Sequence, residues 1–336
     1  MTIRTIIFFL VVFCAGISAG YAVRGSVNGS KTTKNGADLR LQREGQAKFI
    51  NPLLACDNST ESLTNSDMNL FKSEVQKYLN TRNDKGNVTK VSVYFRELND
   101  GQWFSIGDTE QFIPASLRKV PLMIALLKQG EEEKDLLDRK VKLDLSTDEN
   151  MKQNIKPSHP TVLGNSYTIR DLIFRMIVYS DNNAFFYLTR IVHPAELQKV
   201  YSKLRVLDKA DGTSDNFMSV QTYESFFRVL YNATYLSRSS SSWALSIMSN
   251  SEFKTGIVAG VPSSVEVSHK FGEHSDAPQA PVQLHDCGIV YHPMHPYLIC
   301  VMSHGPNYEY LSDVIAGVSK TIYEKVDIQP RINTQQ

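Results

Sequence analysis

The stretch PASLRKVPLMIALL, residues 114–127, sets Ser116 three positions before Lys119 and then runs apolar on almost every side. A helix without a polar face has no place on a surface, so this one is expected at the centre of a domain, walled in by the rest of the chain. On such a helix Ser116 and Lys119 share one face, with Cβ atoms roughly 5–6 Å apart. Serine is a poor nucleophile at neutral pH and needs a base. Lysine can be that base if burial or a neighbouring cation lowers its pKa, and a helix buried all round provides the burial. The plain alternative is a surface lysine that happens to stand there. Pro121 removes a backbone donor early in the helix and predicts a kink or a tight first turn.

The walls can be read on either side. Upstream, Ser66 opens a helix to about Arg82 with Met68, Phe71, Val75, Tyr78 and Leu79 on one face. Val91, Val93 and Phe95 alternate with polar neighbours as in a strand. Asn99-Asp100-Gly101 supplies a turn, and QWFSIG, residues 102–107, is the return strand. Downstream, residues 131–245 read as mostly helical, with candidates near 168–179, 183–192 and 219–235. Three strands follow, VEVSHKFG (265–272), CGIVYH (287–292) and YLICVMSH (297–304). A last helix carries Leu311, Val314, Ile315, Val318 and Ile322 on one stripe. Two-stranded pieces are marginal alone, so strands far apart in sequence must share a sheet. The expected fold is α+β: an antiparallel sheet of about five strands, N- and C-terminal helices on one face, and an all-helical lobe inserted between strands two and three. The groove between sheet and lobe is where a site belongs.

The ends and the composition bound the rest. Residues 6–23 form an unbroken apolar or small run behind Arg4, between a signal peptide and a membrane span in character. Residues 1–23 are expected to be an anchor or signal peptide, 24–55 a linker rich in Gly, Ser, Asn, Lys and Thr, and 56–330 the folded domain. The body is then expected outside the cytoplasm, tethered to the cytoplasmic membrane, as a monomer. Lys plus Arg number 36 against 35 Asp plus Glu, so attraction to nucleic acid has no support. Of the four cysteines, Cys14 lies in the apolar run. If the hairpin through HPMHP, residues 292–296, centres near Met294, then Cys287 and Cys300 face opposite ways and should not pair. A bridge from Cys56 to one of them, or three thiols, are the readings left.

Two further motifs accompany the serine and lysine. VYSDNNA, residues 178–184, is a polar turn between two apolar helical patterns. Its plain reading is capping by Ser180 or Asp181. Its chemical reading puts Ser180 in a proton relay and Asn182 against a substrate or a lysine. In SHKFGE, residues 268–273, Lys270 lies on a strand, and Gly272 suggests close approach of another backbone or a ligand. Lys270 could hold a carboxylate, or could be an ordinary edge-strand lysine.

Taken together and in this order, the three motifs resemble those of the class A β-lactamase and penicillin-binding-protein superfamily, whose signature is Ser-x-x-Lys, Ser-Asp-Asn and Lys-Thr-Gly. The resemblance covers roughly residues 60–326. It implies that Ser116 is the acylated nucleophile and Lys119 its base, and that Ser180 relays a proton to the leaving nitrogen. Asn182 would bind the substrate amide, and Lys270 would support the relay and a substrate carboxylate. The oxyanion hole would be the backbone N–H groups of Ser116 and Glu273. The substrate would be a β-lactam or a D-alanyl cell-wall peptide, with no cofactor.

Two departures stand out. Phe271 occupies the threonine position of the third motif. Between residues 204 and 226 there is no Glu-Pro-x-Leu-Asn pattern, whose glutamate directs the water that releases the acyl group. That stretch offers Asp208, Asp211, Asp215 and, in the following helical pattern, Glu224. Slow release is therefore expected, as in a penicillin-binding protein. The alternatives are a β-lactamase with a non-standard base and a non-catalytic envelope protein. The eight histidines begin at His159; His292 and His295 flank a turn and do not make a zinc pattern, so no metal is expected.

Overall fold

The computed structural model describes residues 42–45, 47–55, 66–83, 90–204, 217–277 and 280–328. The anchor and most of the linker, Cys14, Cys56, Asp208, Asp211 and Asp215 lie outside them. Among the described residues no helix is long and apolar enough to cross a membrane.

Two short strands come first, β1 (Gln42–Arg43) and β2 (Leu53–Ala55), followed by helix α1 (Ser66–Asn83). Strands β3 (Lys90–Glu97) and β4 (Trp103–Ile106) form the expected hairpin, with Gly101 at φ 81° supplying the left-handed turn residue. The opening stretch is a 3₁₀ turn, Ala115–Arg118, that runs into α2 (Lys119–Glu132). This is the tight first turn that Pro121 predicts: as the third residue of α2 it stands where a missing N–H costs little.

The lobe then carries a short ribbon, β5 (Lys140–Lys142) with β6 (Ser166–Thr168), in addition to the expected helices. Those helices are α3 (Ile169–Val178), α4 (Asn182–Leu188), α5 (Pro194–Lys203), α6 (Val220–Tyr231) and α7 (Arg238–Ser249). Strands β7 (Val267–Ser275), β8 (Val282–Val290) and β9 (Tyr297–Gly305) and helix α8 (Tyr308–Asp327) complete the chain.

The sheet is antiparallel in the order β4-β3-β9-β8-β7. Its two faces have separate cores. Val93, Phe95, Ile299, Val301, Leu284 and Phe271 pack toward α1 and α8. Tyr94, Leu298, Cys300, Met302, Cys287 and Ile289 pack toward the lobe, with α2. With both faces covered, β9 reads as a continuous apolar run instead of an alternating one. From Val120 to Leu127 every residue of α2 is buried, as its sequence requires.

Cys287 and Cys300 are joined by a disulfide, which corrects the expectation that they face apart. β8 and β9 align Cys287 directly opposite Cys300, so the hairpin centres between Pro293 and Met294. With a side-chain period of two, a one-residue change of register turns opposite faces into the same face.

Candidate active site

Ser116 lies in the 3₁₀ turn and Lys119 opens α2, so the nucleophile candidate is on the turn and the base candidate on the helix. Ala115, just before the serine, holds φ at 47°, a left-handed conformation that costs a residue with a Cβ. Packing holds the turn in place. The Tyr223 hydroxyl donates to the Leu117 carbonyl at 2.9 Å, and both residues are fully buried.

β7 approaches this turn because Gly272 has no side chain. A Cβ there would meet the Pro114 carbonyl oxygen at 2.8 Å and Leu117 Cγ at 3.1 Å. Gly272 thus has the close-approach role that its place in the strand suggested. Gly272→Ala is expected to cost about 1–3 kcal/mol in chemical denaturation and to slow acylation, because β7 and the serine turn must separate.

The turn Tyr179-Ser180-Asp181 separates its two readings cleanly. Asp181 does the capping: its Oδ1 accepts from Ala184 N at 2.9 Å, and its Oδ2 accepts from Thr161 N at 2.5 Å. Ser180, at φ 56° and fully buried, is left free to face the amines. Lys119 Nζ donates to Ser180 Oγ at 3.0 Å, to Ser180 O at 2.6 Å and to Asn182 Oδ1 at 2.8 Å. Lys270 Nζ donates to the same Ser180 Oγ at 3.0 Å and to its neighbour's carbonyl, Phe271 O, at 2.9 Å. One hydroxyl therefore sits between two buried amines.

Burial holds the Lys119 amine well below the ordinary lysine range, and the charge of Lys270 pushes it down further. Burial lowers Lys270 to about 7, against the opposing pull of Asp286, Glu273 and Glu252. An unfolded lysine titrates near 10.4. Between about pH 7 and that value the unfolded chain holds the extra proton, so this group makes stability rise with pH across that window. Lys270→Met removes the titration. The variant is expected to exceed the parent in stability by on the order of 3 kcal/mol near pH 6, with the gap closing toward pH 10, in denaturation curves at both ends.

A pocket of about 370 Å³ opens over these groups and is lined by Ser116, Lys119, Asn182, Phe185 and Glu273, with residues 152–154 on the facing wall. Ser116, Lys119, Ser180, Asn182, Lys270, Gly272 and Glu273 are thus brought together from the 3₁₀ turn, α2, the α3–α4 turn and β7.

The sequence reading missed the support for the α3–α4 turn. Asn182 N donates to Asn150 Oδ1 at 2.7 Å, and Asn183 bridges Asp148 Oδ1 at 2.9 Å and Glu149 N at 2.7 Å. The signal was DENMKQN, residues 148–154, a composition typical of turns inside a stretch read as helical. His269 does not face the groove. It pairs with Asp286 at 2.8 Å, fully buried, and Asp286 also accepts from Ile257 N at 2.9 Å.

Known proteins share the family and the fold. A family model described as the beta-lactamase enzyme family matches residues 70–326. A structure of PBP-A is 22% identical over 76% of this chain and 97% of its own, with a TM-score of 0.63. A variant of PBP-A is described as an acyl-enzyme complex with penicillin G. A β-lactamase from Sphaerobacter thermophilus DSM 20745 is 19% identical over 77% of this chain and 98% of its own, with a TM-score of 0.64. The TLA-1 extended-spectrum β-lactamase is 18% identical over the same 77% and 98%, with a TM-score of 0.64. At these identities the likeness establishes the fold. A search of curated protein sequences finds no significant match.

Proposed function

The chain belongs to the β-lactamase enzyme family, and from that premise we propose that it is a serine acyl-transfer enzyme whose nucleophile is Ser116. The observation that carries this reading is the Ser180 hydroxyl, 3.0 Å from both Lys119 Nζ and Lys270 Nζ. Two buried amines with lowered pKa values weaken the fold, and a protein that only binds has no use for them.

In the proposed reaction the neutral Lys119 amine takes the proton of Ser116 Oγ as the oxygen attacks a carbonyl carbon. The backbone N–H groups of Ser116 and Glu273 hold the oxyanion. Ser180 gives its proton to the leaving nitrogen and regains one from the amines it touches. The product is an ester at Ser116, and water or an amine then resolves it. The substrate is a β-lactam or a D-alanyl cell-wall peptide, and the domain works outside the cytoplasm behind the N-terminal apolar run.

Slow resolution is part of the proposal. Of the carboxylates that line the pocket, Glu149 bonds Lys152 at 2.6 Å and Thr147 at 2.5 Å, and Glu273 is held by backbone donors. Glu224 is buried on α6 and pairs with Arg228 at 3.4 Å. Intact-mass spectrometry with benzylpenicillin tests the reading. An adduct that lasts minutes supports it. An adduct that vanishes within seconds while the antibiotic is consumed overturns slow resolution. No adduct from penicillins or from generic acyl-serine probes overturns acyl transfer.

A further inference from the structure

The pocket over Ser116 holds several charges, and most of them are already committed. Glu149 pairs with Lys152 at 2.6 Å, and His274 pairs with Asp276 at 2.9 Å. Glu273 Oε1 accepts from Asn154 N at 2.8 Å and Ile155 N at 2.9 Å, so backbone donors offset part of its charge. Lys119 is buried and donates to Ser180 O, Ser180 Oγ and Asn182 Oδ1. Arg118 is different. It lines the pocket, is exposed, and has no carboxylate partner among the described residues. Its one hydrogen bond there is long, from Nε to the Ala115 carbonyl at 3.4 Å, which leaves both terminal nitrogens of the guanidinium uncommitted.

The surroundings of Arg118 say which part of a ligand it meets. Ser180 and Lys270 attend the leaving nitrogen in the proposed reaction, and Lys270 lies on β7. Arg118 lies toward α4 instead: its guanidinium carbon is 6.0 Å from the centroid of the Phe185 ring. Phe185 follows Asn182 by three positions on α4 and so shares its face. Asn182 is the residue expected to bind the amide of the acyl part. Phe186, 43% exposed, lines the pocket beside Phe185. A guanidinium fork next to two aromatic rings suits a ligand group that joins a carboxylate to an aryl ring.

We propose that Arg118 makes this groove prefer acyl donors that carry a carboxylate on the acyl side of the scissile bond, beside an aromatic group that rests on Phe185 and Phe186. The proposal rests on the acyl-serine reading and adds a substrate class to it. The step is unchanged: the Ser116 Oγ–C bond forms and the donor's C–N bond breaks. The serine's proton passes to Lys119, and the leaving nitrogen takes one from Ser180.

The test compares benzylpenicillin with carbenicillin. The two differ only by a carboxylate on the side-chain carbon that bears the phenyl ring, and the carboxylate on the fused ring system is common to both. Adduct growth is followed by intact-mass spectrometry on the full-length protein, and the readout is the ratio of the two acylation rates at equal, low concentration. Carbenicillin is expected to react at least about threefold faster. Arg118→Gln should bring the ratio to about one, and Arg118→Lys should keep part of the preference. Behind burial and Lys270, the charge of Arg118 also pushes the Lys119 amine down, so both variants alter the base as well. The ratio cancels that effect, because both penicillins use the same base. A ratio of one or less in the parent, or a ratio that Arg118→Gln leaves unchanged, overturns the proposal while the acyl-serine reading stands. No adduct from either penicillin also overturns it, and if a fluorophosphonate then fails to label Ser116, the acyl-serine reading falls with it.

Discussion

Ser116→Ala is expected to abolish covalent labelling by a fluorescent penicillin, with no adduct in intact-mass spectra at any time. The hydroxyl is the bond-forming atom in the proposed reaction, so nothing can substitute for it. The turn that presents it is held by other groups: the Tyr223 bond to the Leu117 carbonyl and the contact of Gly272 with Pro114. The variant should therefore unfold within about 0.5 kcal/mol of the parent. That pairing of results separates chemistry from folding. Residual labelling of a folded Ser116→Ala protein would move the nucleophile elsewhere.

Lys119→Met should lower the acylation rate by about 10²–10⁴-fold, the range for loss of a positioned base. Its effect on stability is a balance of opposite terms. The buried amine no longer has to be desolvated, but Ser180 O and Asn182 Oδ1 lose their donor, and Ser180 Oγ keeps only the one from Lys270. An orphaned buried acceptor costs about 1–3 kcal/mol. The pH profile is the sharper readout. Lys119 and Lys270 share one hydroxyl and titrate as a pair, with Lys270 lowered to about 7 by burial. Burial and the charge of Lys270 hold Lys119 well below the ordinary lysine range, and loss of its proton frees the base, so acylation should climb with pH until that proton is gone. In Lys119→Met that rising limb should disappear in stopped-flow acylation traces. A variant that keeps both its rate and its slope would remove Lys119 from the proton path.

The parts of this protein that could be read from its sequence are those set by local pattern. The apolar run after Ser116 fixed α2 as a buried helix, and Pro121 set its tight start. The strands expected at 265–272, 287–292 and 297–304 were legible from their apolar residues, most fully in β9, while β8 begins earlier, at Val282, in a stretch where Gln283, His285 and Asp286 interrupt the apolar pattern. The three motifs assembled the site because each marks a distinct backbone event: a helix start, an inter-helix turn and a glycine on an edge strand. What escaped depends on pairing at a distance. The disulfide turned on a single residue of hairpin register, which no local pattern around Met294 could fix. The Asn150 and Asn183 braces join segments whose sequences carry only a generic turn signal. Glu273's hold on Asn154 and Ile155 crosses the groove and has no sequence signature.

The pairing of β3 with β9 has a consequence for how the chain is made. β3 sits near the start of the folded region, yet its partner begins only at Tyr297, after the whole lobe has been synthesised. The central hydrogen-bond ladder is therefore a high-contact-order element, and its loop entropy must be met before any of its bonds form. A nascent chain stalled before Tyr297 holds β3 and β4 as a lone hairpin with one apolar face uncovered. During that interval the lobe can condense around α2 on its own, while the sheet waits for the last part of the message to be translated.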